Sequence, residues 1–329
     1  MKVEAHAAFD GLDPGRWNAL VEHAPTGSVF LTWQWQTAWT AAFLGGRPLQ
    51  ILTVLDGAGA LAGLLPLYEE APGHWRIVGG EDVSDYLDAL AAPGTEQAVW
   101  EALLQHRAGE RAEWELRGVR SGSSTLALLP AAAASHGLTV QAEREDRCPV
   151  LPLPGSWDEY LARLSGKDRH ELRRKMRKLE AELPEVTVRS HTTAAGWDEA
   201  MTAFLRLHRA SRAGKARFMD EGMERFFREA LRVLAGAGWV RLWFLASAGA
   251  PVATFLCLEH GRSIGLYNSG FDPAHARLAP GIVLLGHVIK DAIARGVAVF
   301  DFLRGEEPYK YAFGPTPEDL FRVRVSPAG

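Results

Sequence analysis

The chain has 329 residues, room for about two domains of ordinary size. With 47% hydrophobic and 23% charged residues it has the make-up of a soluble globular protein, which excludes a disordered chain, a collagen-like repeat or a small disulfide scaffold. A net charge of −4 argues against a surface built wholly for nucleic acid and leaves room for a local basic patch.

Cys148 and Cys257 lie far apart and form no Cys/His ligand spacing, so neither a disulfide nor a metal site is expected. The N-terminus MKVEAHAAFDGLD has acidic residues and no apolar run of the secretory kind. No stretch approaches the ~18 uninterrupted apolar residues of a spanning helix. The longest apolar helix candidate, Gly281 to Ala294, is broken by His287, Lys290 and Asp291. A cytoplasmic location is the resulting expectation.

In chain order, helices are predicted over 16–24 and 33–43, the second with Trp35, Trp39 and Phe43 on one face. Strands 49–56 and 60–68 come next, separated by Gly57-Ala58-Gly59, a hairpin signal. After Gly79-Gly80 comes the polar stretch Glu81 to Asp88, then helix 96–107, strand 113–117, helix 123–135 and strand 139–143. Pro149 to Gly155 is too proline-rich for a central strand and reads as a linker or edge. That places the domain boundary between 148 and 149.

The second half opens with a helix holding Lys167, Arg169, Arg173, Arg174, Lys175, Arg177 and Lys178 within twelve residues. Leu172, Met176, Leu179 and Leu183 give it an apolar seam. Its opposite, cationic side is either a solvated face or a contact for a phosphorylated partner such as tRNA. Helices over 194–211 and 222–235 precede strands 240–246, 252–259 and 263–269, then helix 281–294 and strands 298–302 and 320–325. Mixed strands and helices place the fold in the α/β class, with mixed α+β sheets. The hairpin from Ile51 aligns without gaps with that from Leu242, at a separation of 191 residues, which points to two related halves.

Three places carry candidate chemistry. The run Arg277-Leu278-Ala279-Pro280-Gly281-Ile282 sits between an apolar strand and an amphipathic helix. Pro280 suits the first helical position, and the open N–H groups beyond it suit a phosphate, with Arg277 adding charge. His208 and Arg212 lie one helical turn apart; His208 shares a face with Met201 and Phe204, so it is either a core histidine or a base facing a cleft. The loop after strand 298–302 gathers Asp301, Arg304, Glu306, Glu307, Tyr309 and Lys310. There Arg304 and Lys310 suit a carboxylate or phosphate.

The run from Arg241 to Phe313 resembles the GNAT-like acyltransferases of the BioF2-like or CelD-like type, relatives of the FemAB peptidyltransferases. The residues that carry the resemblance are Gly249 to Ala253, Leu266-Tyr267-Asn268-Ser269-Gly270-Phe271-Asp272-Pro273, Arg277 to Gly281, and Phe300 to Lys310 with its Asp, Arg-Gly and Tyr-Lys order. Thr32-Trp33-Gln34-Trp35 and Asp85-Tyr86-Leu87-Asp88 extend it into the first half.

The resemblance implies tandem GNAT-like folds, residues 1–148 without donor binding and 149–329 with it. It implies an acyl-CoA donor, such as acetyl-CoA, docked between two splayed strands, 252–259 and 263–269, with its pyrophosphate at Arg277 to Ile282. Backbone N–H groups of Phe255, Leu256 and Cys257 would polarise the thioester carbonyl, Tyr267 or Tyr309 would protonate the leaving thiolate, and Asp301 would take the acceptor's proton. Trp33, Tyr86, Asp88, His208, Arg212, Arg304 and Lys310 would bind a small-molecule or envelope-precursor acceptor. Val283 stands where the family pattern has its second glycine. That departure leaves two alternatives open, a Fem-like aminoacyltransferase using aminoacyl-tRNA and a non-catalytic binding protein. A duplicated fold that pairs internally would be a monomer.

Overall fold

The computed structural model describes residues 1–80, 82–107, 112–193 and 195–328. Two compact units emerge, the first formed by Met1–Arg147 with Glu318–Gly329, the second by Cys148–Pro317. The return of the last dozen residues to the first unit differs from the expected division, which kept all of 149–329 together. Its cause is strand pairing, which a proline count does not register.

The first unit runs β1 (Lys2–His6), α1 (Pro14–His23), α2 (Trp33–Phe43), β2 (Leu49–Leu55), β3 (Leu61–Ala71), β4 (His74–Ile77), β5 (Leu90–Ala91), α3 (Glu96–His106), β6 (Glu113–Arg120), α4 (Ser124–Ser135) and β7 (Leu138–Pro152). The local chemistry of the helix starts is plain. Asp13 accepts hydrogen bonds from the N–H groups of Gly15 and Arg16 at the head of α1, and Thr32 and Ser123 cap α2 and α4. The sheet order is β1-β2-β3-β4-β6, then the C-terminal strand, then β7, with β5 on β3. Of these contacts, β4 with β6 is parallel and lasts three residue pairs, from His74↔Glu113 to Arg76↔Glu115.

The second unit continues with α5 (Trp157–Arg163), α6 (Gly166–Glu182), β8 (Thr187–His191), α7 (Trp197–Ser211), α8 (Ala213–Phe218), α9 (Glu221–Gly236), β9 (Val240–Ser247), β10 (Ala250–His260), β11 (Ser263–Phe271), α10 (Pro280–Ala294), β12 (Val299–Asp301) and α11 (Pro308–Tyr311). The last strand, β13 (Thr316–Pro327), pairs with β6 in the first unit. The expected helix 194–211 begins at Ala194, which lies outside the described residues.

Sheet order in the second unit is the end of β7, then β12-β11-β10-β9-β8. Residues 150–152, expected to be a linker or edge, are a strand on β12. The ladder uses the Pro149 carbonyl, which accepts from Phe302 N–H, and the Leu153 N–H, which donates to Ala298. Pro152 falls between them, where its nitrogen points away from β12, so the missing donor costs no hydrogen bond in this pairing.

On one side of this sheet α10 is buried along most of its length. Val283, Leu284, Leu285, Val288, Ile289 and Ala292 are each 0% exposed, packed on Leu245, Phe255, Cys257 and Leu266. On the other side α7 rests on β11. A Cβ on Gly270 would stand 2.4 Å from the backbone nitrogen of His208, so only glycine allows that approach. Among the described residues no helix is long and apolar enough to cross a membrane.

Candidate functional site

A hairpin holds its strands together, whereas a parallel pair joined through a helix is free to diverge. In this chain β10 and β11 are a hairpin, paired from Ala253↔Phe271 to His260↔Ser263. Strands 252–259 and 263–269 are therefore not the parting pair. The strands that part are β11 and β12, parallel for only three pairs that end at Gly265↔Asp301. At that point the Leu303 side chain lies on Gly265, within 3.1–3.3 Å of where a Cβ would be.

The β10–β11 ladder also carries a bulge. Leu256 pairs with Asn268 and Cys257 with Leu266, so Tyr267 is the extra residue. Phe255, Leu256 and Cys257 lie in the interior strand β10, laddered to β9 on one side and β11 on the other. Their N–H groups are thus unsuited to polarise a ligand carbonyl, and the open strand edge is that of β11 beyond Gly265.

A cavity of about 230 Å³ opens beside β11 beyond the parting point. Phe255, Phe271 and Ile282 give it an apolar lining, Arg212, Lys215, Glu307 and Tyr309 a polar one, and Ala279, Pro280 and Gly281 form its end at the head of α10. Ala279 takes the left-handed conformation at φ 50° and offers no side-chain cap. Ile282 and Val283 both donate their N–H groups to the Ala279 carbonyl, and Pro280 has none. Of the first helical positions, Gly281 keeps an N–H with no acceptor among the described residues. A Cβ on Gly281 would meet nothing within 4 Å.

The polar wall is built by two short segments. In one, Lys215 of α8 donates to the Ser269 carbonyl and, at 3.0 Å, to Ser269 Oγ. Burial, with the charge of Arg212 beside it, lowers the Lys215 pKa to about 8. In the other, Lys310 organises the loop between β12 and α11. Its Nζ donates to the carbonyls of Leu303 (3.4 Å), Arg304 (3.0 Å) and Gly305 (2.9 Å) and meets the Glu307 carboxylate at 2.9 Å. Burial alone would raise the Glu307 pKa, but the hydrogen bond and charge of Lys310 outweigh it and the net shift is downward. Tyr309 is pushed up to about 12 by burial and by the Glu307 charge.

Of the residues singled out in the sequence, the cavity gathers Phe255, Arg212, Ala279, Pro280, Gly281, Ile282 and Tyr309. Others are placed elsewhere. Lys310 is 4% exposed and committed to its own loop, so it has no donor left to grip a ligand. Asp301, 6% exposed, accepts from the Leu303 N–H at 2.7 Å and holds the same loop rather than an acceptor's proton. Arg304 contributes its carbonyl to the Lys310 cluster. Tyr267 stacks on Phe227 with ring centres 5.7 Å apart, outside the cavity lining.

His208 is 1% exposed, with Nε2 3.0 Å from Asn268 Oδ1. Burial and the Lys215 charge lower its pKa to about 4, so it is a neutral core histidine at pH 7. Leu256, Cys257 and Leu278 are core residues, and burial pushes the Cys257 thiol well up. Arg277 is exposed and pairs with Glu182 at the end of α6.

In the first unit, Trp33 packs edge-on against Phe9 and Trp17 at 5.1 and 5.4 Å. The Tyr86 ring lies under the Arg120 guanidinium at 4.7 Å. Asp88, 4% exposed, accepts from Ser123 Oγ (2.5 Å), Thr125 Oγ1 (2.6 Å) and Ala89 N–H (2.8 Å). Tyr86 and Asp88 line a cavity contained in the first unit.

Sequence reasoning assigns no individual role to Lys215 or Glu307, although Glu307 lies within the Phe300 to Lys310 string that it marks. Val283, at the departure from the glycine pattern, points its side chain into the core and does not face the cavity.

No curated protein matches the chain. Among solved structures, FemX superimposes with a TM-score of 0.68 at 12% identity, covering 98% of this chain and 97% of its own. A conserved protein of unknown function from Bacteroides thetaiotaomicron gives 0.64 at 12%, covering 99% and 100%. The C-terminal domain of a putative lysylphosphatidylglycerol synthetase from Agrobacterium fabrum gives 0.61 at 10%, covering 94% and 90%. These likenesses establish a common fold. Residues 166–311 match the acetyltransferase (GNAT) domain family, and the chain shares its fold with FemX.

Proposed function

We propose that the second unit transfers an acyl group from a thioester, with acyl-CoA as the donor, to an amine or hydroxyl of a small-molecule or envelope-precursor acceptor. The observation that carries this reading is the parting of β11 and β12 after three pairs, beside a cavity that ends at the Gly281 N–H, which has no acceptor among the described residues. A phosphate of the donor is served by that N–H and the positive end of α10, a helix long enough for its dipole to count. The apolar wall of Phe255, Phe271 and Ile282 suits the donor's arm, and the open space at Gly281 is room that a side chain would take away.

In the reaction the acceptor nitrogen or oxygen attacks the thioester carbon, the new C–N or C–O bond forms, and the C–S bond breaks. N–H groups on the open edge of β11 beyond Gly265 polarise the carbonyl. The proton lost by the acceptor balances the one gained by the sulfur. Glu307, held ionised by Lys310, is the group suited to accept it, and the Tyr309 hydroxyl is suited to deliver one to the departing thiolate. The core position of Val283 supports the catalytic reading over a degenerate, non-catalytic one.

The test is a thermal-shift titration with CoA, acetyl-CoA and longer acyl-CoAs, run beside Gly281→Asp. An acid in the first turn favours the helix but repels a phosphate. The expected result is a rise in melting temperature that Gly281→Asp loses while its own unliganded melting temperature stays the same or increases. No rise with any CoA species would overturn the donor assignment.

One observation favours a second reading, an aminoacyl-tRNA donor. On α6, Lys167, Arg173 and Arg177 are exposed and have no acidic partner among the described residues, whereas Arg174, Lys175 and Lys178 are paired with Glu171 or Glu182. Binding of tRNA that weakens steeply with salt and is lost in an Arg173→Ala/Arg177→Ala variant would put this donor first.

A further inference from the structure

The charges on the cavity wall do not balance. Glu307 is matched by the buried Lys310, 2.9 Å away. Arg212 and Lys215 also line the cavity, and neither forms an ion pair with a carboxylate among the described residues. Lys215 rests instead on the carbonyl and hydroxyl of Ser269. The two cations lie close enough for the Arg212 charge to help depress the Lys215 pKa. The Glu307 charge reaches both cations, but that carboxylate is already paired with Lys310, so the corner keeps an excess of positive charge, part of it desolvated, that an incoming anion offsets.

We infer that Arg212 and Lys215 form an anion-binding corner of the cavity that takes a carboxylate or phosphate group of the acceptor. The inference rests on the acyl-transfer reading and narrows its acceptor to an amine or alcohol that also bears an anionic group. Position along β11 favours the acceptor over the donor as the source of the anion. Ser269 lies between the parting point at Gly265 and the head of α10, so Lys215 is anchored where the reacting groups meet. The donor's phosphates have the Gly281 N–H.

The corner is tested by calorimetry on the full chain with two simple probes, inorganic pyrophosphate and succinate. The proteins are wild type, Lys215→Met, Arg212→Met and Gly281→Asp. Arg212 is exposed, so its variant serves should Lys215→Met fail to fold. At least one probe is expected to bind wild type and Gly281→Asp alike and to lose tenfold or more in affinity in the Arg212 and Lys215 variants. Binding of neither probe to wild type, or equal binding by all four proteins, would overturn the site.

A second arm compares CoA with pantetheine, which lacks the phosphates. If Lys215→Met weakens CoA tenfold and leaves pantetheine unchanged, the anion belongs to the donor and the acceptor assignment falls. If wild type binds the probes but no CoA species, the donor reading fails while the corner stands.

Discussion

The two units use the same order of elements and diverge at one point. Each has a strand, two or three helices, a hairpin and a third antiparallel strand, then a helix and a strand parallel to the third. The parallel contact lasts three pairs in both, β4 with β6 and β11 with β12. Beyond it, the first unit lays its own chain on β6. The Leu87 N–H donates to the Gly118 carbonyl at 3.4 Å, and a Cβ on Gly118 would stand 2.6 Å from the Asp85 carbonyl oxygen. The first unit's cavity is lined by that segment, with Tyr86, Leu87 and Asp88 beside Gly118, whereas the second unit's cavity lies beside β11 and a Cβ on Gly281 would meet nothing. One fold thus yields two different cavities, one walled by the chain's own segment 86–88 on β6 and one that reaches the head of α10. The difference lies in the segment after the third strand, a loop rich in buried residues between β4 and β5 in one unit and a 3-10 helix (Pro273–Leu278) leading into α10 in the other.

The largest expected effect tests what builds the second unit's site. Lys310→Met removes a buried cation and leaves three carbonyls and the Glu307 carboxylate without their partner. A loss of about 3–5 kcal/mol in urea unfolding is expected. A loss under about 1 kcal/mol would mean that Lys310 does not hold the loop.

The comparison itself is tested by the same substitution at both places. Gly118 sits at φ 74° against the Asp85 backbone, so Gly118→Ala combines left-handed strain with a clash and is expected to cost at least about 2 kcal/mol. Gly281→Ala meets no neighbour and lies in a helix, so it is expected to be neutral or to stabilise by up to about 0.5 kcal/mol. Similar costs at the two sites would mean that the chain packs no more closely on Gly118 than around Gly281.

How much of this is legible in the sequence depends on which forces act locally. The hairpins and α10 are written in apolar periodicity, and the echo between Ile51 and Leu242 reflects equivalent hairpins. Strand pairing over long separations is not written locally. Nothing around Pro149 announces that its carbonyl completes a ladder, and nothing in 320–325 tells that the strand returns to β6. The same limit governs the site. Polar residues after a strand read as a cluster, but whether an amine faces a ligand or three carbonyls depends on the backbone around it. Lys310 and Asp301 therefore read as ligand groups in the sequence, when they are the loop's own fastenings. Lys215 carries no local mark.

A further effect belongs to the first unit and depends on pH. Burial raises the Asp88 pKa to about 6, and the Ser123 and Thr125 hydroxyls only partly offset it. The folded state therefore holds this proton more tightly than the unfolded chain. The group's contribution is most favourable below about pH 4 and is lost as pH rises through 6. Asp88→Asn removes that dependence. The difference in unfolding free energy between wild type and Asp88→Asn should change by about 2 kcal/mol between pH 4 and pH 7, with wild type relatively weaker at pH 7. A flat difference across that range would show that the carboxylate is better solvated than its 4% exposure implies.

The smallest expected effect concerns Arg277, the residue that the motif makes most prominent. Its guanidinium is 68% exposed and pairs with Glu182 on α6, so Arg277→Ala should cost at most about 0.5 kcal/mol of stability. Its influence on a donor phosphate would be that of a mobile surface charge, screened at physiological salt. CoA affinity is accordingly expected to fall less than threefold in Arg277→Ala, against tenfold or more in Gly281→Asp. If the order were reversed, Arg277 would have to leave Glu182 and close over the ligand, and the fixed N–H at the head of α10 would be the lesser contact. A salt titration separates these cases. A mobile arginine loses its contribution between about 50 and 500 mM salt, whereas a backbone N–H inside the cavity keeps most of its own.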